Sequence, residues 1–596
     1  MRICRVEIER FRGIRELSFT VPSSLQLIAG ANNAGKSTVM AALDFFFKGD
    51  YTNLDLELIQ PKNSYYSKES PRALTKIKIE FTDLTIPEKR DFKDAISPRK
   101  KSFWCQIKIS RKGEISFGCS QKADAKFLYD RLISKFSVFH IPVLRVMQGG
   151  VSNTESQRLM KAVTAVLIRN RPGPKTKEQK RFISDSKRYK KLIGKVLSEG
   201  KTSASELLPS ESEINFEFPS DGELLSALLE KVWIKSRPKD GLTLKEEGTG
   251  YQSLLSLGLL KHVADLEASR RNQNLLIFLE EPEAFLHPQY QRRVVQYLRK
   301  MSNSAQLMVS THSPTIIDAT EVQNIMRIER DPKGLKMEWK PEALSEKSRG
   351  KLSRWCDARN SELIFADRVI FCEGISDANV IKKIFDLSGD FDGITKNISV
   401  IPMESRDNGD KFIELVTRFK IPFLFVFDKD VHTGSRSTLK KIAGSIGKKF
   451  SQTEYVMLDE IKASNCLSIE DGNSQRDDAN NIMLKRNIFV LGSDIEGALA
   501  TSYTKRKIIK CLSKVEIIDS YGRDELTSLN GKDYYQTLFD RLGSKGWNVE
   551  KPKDKVKPHL TGLIVDELGP GFNVNSDLEK LKKIIKKFLV NPKKLL

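Results

Sequence analysis

Cysteine is scarce. Seven residues, Cys4, Cys105, Cys119, Cys356, Cys372, Cys466 and Cys511, are scattered over 596 positions. No two are spaced as C-x-x-C, which excludes zinc ribbons and dithiol redox pairs, and an odd, dispersed set suits a reducing compartment. Uncharged apolar runs long enough to cross a bilayer are missing too. The opening, MRICRVEIERFRG, alternates polar and apolar residues and does not read as a signal peptide. A soluble, cytoplasmic protein with no membrane association is expected. Acidic residues are in deficit: 77 Asp and Glu stand against 100 Lys and Arg, a net charge of +23. That balance fits a polyanionic partner, nucleic acid first.

What is present supports real cores. Hydrophobic residues make up 39% of the chain and charged residues 30%, and the length suggests about three to four domains. The organising stretch is Leu25 to Thr38. An apolar strand, Leu25 to Ala29, runs into Gly30, Ala31, Asn32, Asn33, Ala34, Gly35, Lys36 and Ser37, and a helical stretch follows from Thr38 to Phe47. This is a P-loop in strand–loop–helix context. The glycines let successive N–H groups point at phosphate oxygens, and the helix start adds its positive end. Lys36 places a point charge at the β- and γ-phosphates and Ser37 reaches Mg²⁺. ATP with Mg²⁺ is the implied cofactor, held by residues 30–38.

Further motifs follow in order. Arg2 to Ile8 and Leu17 to Val21 read as strands around a Phe-Arg-Gly turn, residues 74–82 and 103–118 as more strands, and Phe136 to Val146 as an apolar strand. Residues 151–240 turn Lys-, Glu- and Ser-rich, with Leu224, Leu225, Leu228 and Leu229 at helical spacing. Glu247 to Ser253 is a Gly-rich opening to a helix. Leu275 to Leu279 is an apolar strand ending in Glu280 and Glu281, the first expected to hold Mg²⁺ and the second to orient or deprotonate water. His287 follows in Leu286-His287-Pro288, and a strand from Leu307 ends at His312. P-loop, Gly-rich signature, strand-end acids and strand-end His together resemble the SMC/RecF-like branch of ABC ATPases. The resemblance implies that Glu280 stands where most such enzymes use Asp, that His312 contacts the γ-phosphate, and that either Gln60 or Gln148 is the loop glutamine. It also implies that ATP closes between two copies, hence at least a homodimer formed through the head and the insertion.

A second set of acids lies downstream. Arg368 to Cys372 is an apolar strand delivering Glu373, Gly374 and Asp377, with a helix from Ala378 to Leu387. Asn397 to Met403 is the next strand. Ile421 to Phe427 ends in Asp428-Lys429-Asp430, and Asn487 to Leu491 precedes Asp494-Ile495-Glu496. Carboxylates at successive strand ends make an acidic sheet edge, and acids so gathered repel unless a cation sits among them. Hard oxygen donors favour Mg²⁺ or Mn²⁺, and two ions can bracket a scissile phosphate.

This arrangement resembles a TOPRIM domain, and an ATPase head followed by TOPRIM resembles the OLD (overcoming lysogenization defect) family of nucleases, which includes the Gabija nuclease subunit. The resemblance implies a metal site of Glu373, Asp377, Asp494 and Glu496, a second of Asp428 and Asp430, and a Lys after the sheet, Lys557 or Lys555. It implies a nucleotide-regulated, metal-dependent endonuclease of double-stranded DNA in anti-phage defence, and for the Gabija branch a UvrD-like helicase partner. The alternative is an SMC/RecF-like repair or structural ATPase with a non-catalytic TOPRIM. The expected fold is α/β: an ABC-type P-loop ATPase domain with a helical insertion, then a TOPRIM α/β domain. The expected parts are 1–150 and 241–340 for the head, 151–240 for a dimerisation insertion, 341–360 for a linker, 361–520 for TOPRIM and 521–596 for a basic helical segment completing it. In that last segment Lys580, Lys582, Lys583, Lys586 and Lys587 share a helix with Leu581, Ile584, Ile585 and Leu589.

Overall fold

A computed structural model describes residues 1–49, 51, 56–60, 74–97, 99, 101–121, 124–141, 181, 184–188, 190–191, 254, 257–258, 260–261, 265, 274–284, 286–329, 335–339, 360–387, 398–428, 431, 437–463, 474–492, 495, 499, 505–514, 520–529, 537 and 576–590. The chain falls into two compact units. The first comprises Met1–Ile28, Gly35–Ala319 and Arg330–Lys340; the second comprises Ala29–Ala34, Thr320–Glu329 and Pro341–Leu596. Most of the insertion at 151–240, the Gly-rich stretch at 247–253 and the connector at 341–359 lie outside the described residues.

The first unit carries a mixed sheet of six strands in the order β11-β2-β1-β4-β5-β6. These are β1 (Arg2–Phe11), β2 (Ile14–Thr20), β4 (Thr75–Thr82), β5 (Phe103–Ile109), β6 (Ile115–Cys119) and β11 (Leu335–Trp339). Alternation of apolar and polar residues builds it: in β4, Ile77, Ile79 and Phe81 are fully buried while their neighbours face outward. The strand expected over 103–118 is instead a hairpin, β5 to β6. Ser110 breaks it: its hydroxyl accepts from the Glu114 amide at 3.1 Å and its carbonyl accepts from Gly113 N at 3.1 Å. A local side-chain bond here displaces the ladder.

Four further strands of this unit run in the order β3-β9-β8-β7: β3 (Leu25–Ala29, its last residue in the second unit), β7 (Phe136–Ile141), β8 (Asn274–Glu280) and β9 (Gln306–Thr311). β7 pairs in parallel with β8 and β8 with β9. Burial runs unbroken along β3 and β9, as in strands covered on both faces. Helix α1 (Lys36–Phe47) starts two residues before the expected Thr38, since Gly35 at φ +108 forms its N-terminal boundary. Helix α2 (Pro288–Met301) follows β8.

In the second unit, the order is β13-β12-β14-β15: β12 (Arg368–Cys372), β13 (Ile398–Pro402), β14 (Phe423–Phe427) and β15 (Ile488–Val490), with every pair parallel. A short strand, β10 (Ile325–Arg327), belongs to the same unit. Helix α3 (Ile375–Leu387) opens three residues ahead of the expected Ala378. Helix α4 (Ser576–Val590) lays Leu578, Leu581, Ile585 and Phe588, all fully buried, onto the core of β12, β14 and α3. At roughly 1.5–3 kcal/mol per buried side chain, that face accounts for its docking. Its other face keeps Lys583 and Lys587 exposed, and Lys580 pairs with Asp477 at 2.6 Å. Among the described residues, no helix is long and apolar enough to cross a membrane.

One contact fixes the start of the P-loop. Ile328 donates its N–H to Ala29 O at 2.7 Å, and a Cβ placed on Gly30 would stand 2.3 Å from Ile328 O. Backbone cannot yield as a side-chain tip does. Gly30→Ala is expected to lower stability by about 1–3 kcal/mol, read as the shift of the urea midpoint. An unchanged midpoint would mean that Ile328 is not held there.

Candidate functional site

Two sheet edges gather the functional candidates, one in each unit. In the first unit the geometry centres on Lys36, the first residue of α1. Its ammonium donates to Nε2 of His312, which in turn lies 3.2 Å from Glu281 Oε1. Lys36 is 5% exposed, and burial, opposed by Glu281, Glu283 and Glu280, pulls its pKa down to about 8. A buried ammonium at the first turn of this helix fits a phosphate, whose charge would offset the cost of burial. Burial and the Lys36 charge likewise lower the His312 pKa, against Glu281.

Ser37 and Glu280 supply a pair of hard oxygens. Ser37 Oγ donates to Glu280 Oε2 at 2.6 Å. The other oxygen, Oε1, lies 2.9 Å from His140 Nε2, whose Nδ1 is 3.5 Å from Asp44 Oδ2. The longer Glu arm therefore reaches the hydroxyl of the P-loop serine directly. Burial opposes ionisation of Glu280, but the bonds from His140 and Ser37 hold its pKa below the ordinary carboxylate value. A hydroxyl and an ionised carboxylate this close fit Mg²⁺. Glu281 follows at φ +45, its N–H bonded to Ser310 O at 3.0 Å. A non-glycine residue in that region is strained, and strain of this kind clusters at working sites.

Glu283 positions the His312 backbone. Its Oε1 accepts from Thr311 Oγ1 at 2.6 Å and from His312 N at 2.8 Å, and burial raises its pKa. On the P-loop itself, Asn33 has φ +62, and Ala34 N donates to Ala31 O at 3.2 Å. Gln60 donates to Thr75 Oγ1 at 2.9 Å and to Ile109 O at 3.3 Å, a structural role between β4 and β5. Gln148 lies outside the described residues. His287 caps α2, accepting from Gln289 N.

In the second unit, β12 is buried along its length and ends at Cys372. Glu373 follows, and its Oε1 accepts from the Asp428 amide at 3.0 Å. This bond ties the carboxyl end of β12 to that of β14. Asp377, 6% exposed in the first turn of α3, accepts from Gly374 N at 2.8 Å. That bond is why the helix starts before Ala378. Burial, then Asp377, raises the Cys372 thiol well above its usual pKa, with Asp428 and Glu373 adding to the effect. Glu373 and Asp377 follow the end of β12 and Asp428 follows the end of β14, and carboxylates as donors suit a hard divalent cation. Among the described residues, no group of three His, Cys, Asp or Glu is gathered tightly enough to hold an ion. The expected partners Asp430, Asp494 and Glu496, with Lys555 and Lys557, lie outside the described residues.

With this geometry in hand, the chain was compared with known proteins. Residues 1–139 and 151–317 match the family described as an AAA ATPase domain. The chain belongs to that family. Residues 364–430 of this AAA ATPase match an overcoming lysogenization defect protein-like TOPRIM domain. It is 21% identical to the Old nuclease of Escherichia phage P2, over 72% of this chain and 77% of that protein. It is 28% identical to the OLD nuclease of Thermus scotoductus, over 31% of this chain and 36% of that one. It is 26% identical to Endonuclease GajA of Bacillus cereus strain HuB5-5, over 34% and 33% of the two chains. The chain thus spans about three quarters of the first relative's length and about a third of the other two. It joins an ATPase head to an OLD-like TOPRIM domain, the expected combination.

Two residues of the first unit escaped the sequence reading. His140, the next-to-last residue of β7, lies far from any motif. Glu283 was visible only as the last acid of Glu280-Glu281-Pro282-Glu283.

The His140 bridge has a pH signature. Burial alone would lower its pKa, but the bonds to Asp44 and Glu280 raise it from 6.5 to about 9. The folded value exceeds the unfolded one, so the stabilisation is complete below 6.5 and is lost as pH rises through about 9. In urea titrations, wild type should exceed H140Q by about 3 kcal/mol near about pH 6, and the gap should close by about pH 10. A gap independent of pH would refute the bridge.

Proposed function

We propose that the chain is a nucleotide-regulated, divalent-metal-dependent endonuclease of double-stranded DNA. The observation that carries this reading is the bond between Glu373 and the Asp428 amide, which brings the acidic ends of β12 and β14 together inside the TOPRIM-like sheet. Glu373, Asp377, Asp494 and Glu496 would hold one ion, Mg²⁺ or Mn²⁺, and Asp428 and Asp430 a second. A bound ion supplies Lewis-acid stabilisation of the charge that builds on a phosphodiester and makes water a better nucleophile. The chain's own part is to hold ionised carboxylates at fixed separation and to place a cation, Lys557 or Lys555, near the leaving oxygen.

In the head, the loop from Gly30 to Thr38 holds ATP, Lys36 the outer phosphates and Ser37 with Glu280 the accompanying Mg²⁺. Glu281 orients the attacking water and His312 senses the γ-phosphate. The excess of positive charge, +23 over the chain, favours DNA. ATP closed between two heads makes the enzyme at least a homodimer, and its place is the cytoplasm, in defence against phage or other foreign DNA. For a Gabija-type system, a UvrD-like helicase would join it.

Plasmid nicking tests this reading. Glu373→Ala or Asp428→Ala should reduce Mg²⁺- or Mn²⁺-dependent nicking by about 10³-fold or more, the scale of losing an essential electrostatic group. Undiminished nicking by either variant would overturn the nuclease assignment and leave the DNA-binding ATPase. Lys36→Ala should abolish the response of nicking to ATP while leaving nucleotide-free nicking within about threefold of wild type.

A further inference from the structure

Within the second unit, a short run of bonds joins the first residue of the P-loop to the strand that delivers Glu373. It begins at Ile328, whose N–H bonds Ala29 O at 2.7 Å and whose carbonyl oxygen lies 2.3 Å from where a Gly30 Cβ would stand. The preceding residue, Arg327, ends β10 and is 4% exposed. Its guanidinium donates from Nε to Ile364 O at 2.9 Å and from Nη2 to Ala366 O at 2.8 Å. Nη1 donates to Glu329 Oε2 at 2.7 Å. Ile364 and Ala366 are fully buried, at the end of the turn Asn360–Phe365 and two residues ahead of β12.

This geometry differs from an ordinary buried arginine in what it connects. The two carbonyls sit two residues apart on the backbone that feeds directly into β12. β12 is then clamped on both sides, by β13 as far as Cys372 and by β14 as far as Phe371, and Glu373 follows. A planar fork bonded to two buried carbonyls is stiff, because shifting it leaves desolvated acceptors without donors. A displacement of Ile328 is therefore passed to residues 364–366 rather than absorbed. A strand held by parallel neighbours has little freedom except to slide or tilt, and that motion bears on the Glu373–Asp428 bond.

We propose that Arg327 is a positioning residue that couples the nucleotide state of the P-loop to the carboxylate edge of the TOPRIM sheet. Phosphate engaging the loop at Gly30 shifts Ile328, Arg327 carries the shift to Ile364 and Ala366, and β12 moves Glu373 relative to Asp428. This deepens the nucleotide-regulated nuclease reading and rests on it. Glu329 tunes the coupling by fixing the third arm of the fork.

The test uses the full chain as wild type, Arg327→Met, Arg327→Lys and Glu329→Gln. Plasmid nicking is measured with and without ATP, and ATP affinity by titration of a fluorescent analogue. Wild type should show an ATP effect of about fivefold or more, and Arg327→Met should reduce that ratio to about one with ATP affinity within about threefold of wild type. Glu329→Gln should give an intermediate ratio. A merely structural arginine would change nicking with and without ATP alike, so an Arg327→Met ratio equal to wild type's would overturn the proposal.

If Arg327→Met fails to fold, Arg327→Lys keeps the charge but cannot span both carbonyls. Amide hydrogen exchange then supplies a readout independent of DNA cleavage. ATP should change exchange across residues 364–373 in wild type and leave it unchanged in Arg327→Lys. No ATP-dependent change in wild type, or the same change in the variant, refutes the coupling. Absence of nicking by wild type would instead sink the nuclease reading, while the exchange experiment would still decide the role of Arg327.

Discussion

Charged side chains cannot be buried beside apolar strands without a large desolvation penalty, so in a sheet covered on both faces they emerge at the strand ends. Both candidate sites follow from this one constraint. β8 releases Glu280 and Glu281, and β9 releases His312. β12 releases Glu373 and β14 releases Asp428. Parallel pairing puts the released groups on the same edge, so convergence comes from topology rather than from proximity in the chain.

At the nucleotide edge, the groups satisfy one another. Lys36 leans on His312, His312 on Glu281, and Ser37 on Glu280. His140 with Asp44 secures the remaining oxygen of Glu280. Such a network keeps each charge partly paired while leaving it open to a better partner. A phosphate would outcompete His312 for Lys36, because an anion compensates a buried ammonium more fully than a neutral ring does.

The second unit is held together differently. Its core is a continuous apolar slab to which a helix from the far end of the chain, Ser576–Val590, contributes four buried side chains. Polar contacts tie distant segments of it: Arg486 bonds Glu454 and the carbonyls of Lys448 and Lys449, and Arg327 bonds the carbonyls of Ile364 and Ala366. A stiff sheet with a well-anchored side chain at the strand that feeds it is suited to relaying small displacements.

The P-loop, the strand-end acids and the TOPRIM-like run were legible in the residues because each motif is local: an apolar strand followed at once by its chemistry. Element limits were less so. α3 begins at Ile375 because the Asp377 carboxylate reaches back to Gly374, and 103–118 folds into a hairpin because Ser110 bonds its own turn. His140 was invisible because its role depends on β7 lying beside β8, a pairing across more than a hundred residues. Sequence alone determined which chemistries the chain carries, since residue type and spacing along one strand set a local motif. Only the tertiary structure decided which of them meet, as with Glu373 and Asp428 or Arg327 and Ala366. The first meeting depends on the parallel order of distant strands and the second on a side chain reaching backbone far along the chain, neither of which a local pattern encodes.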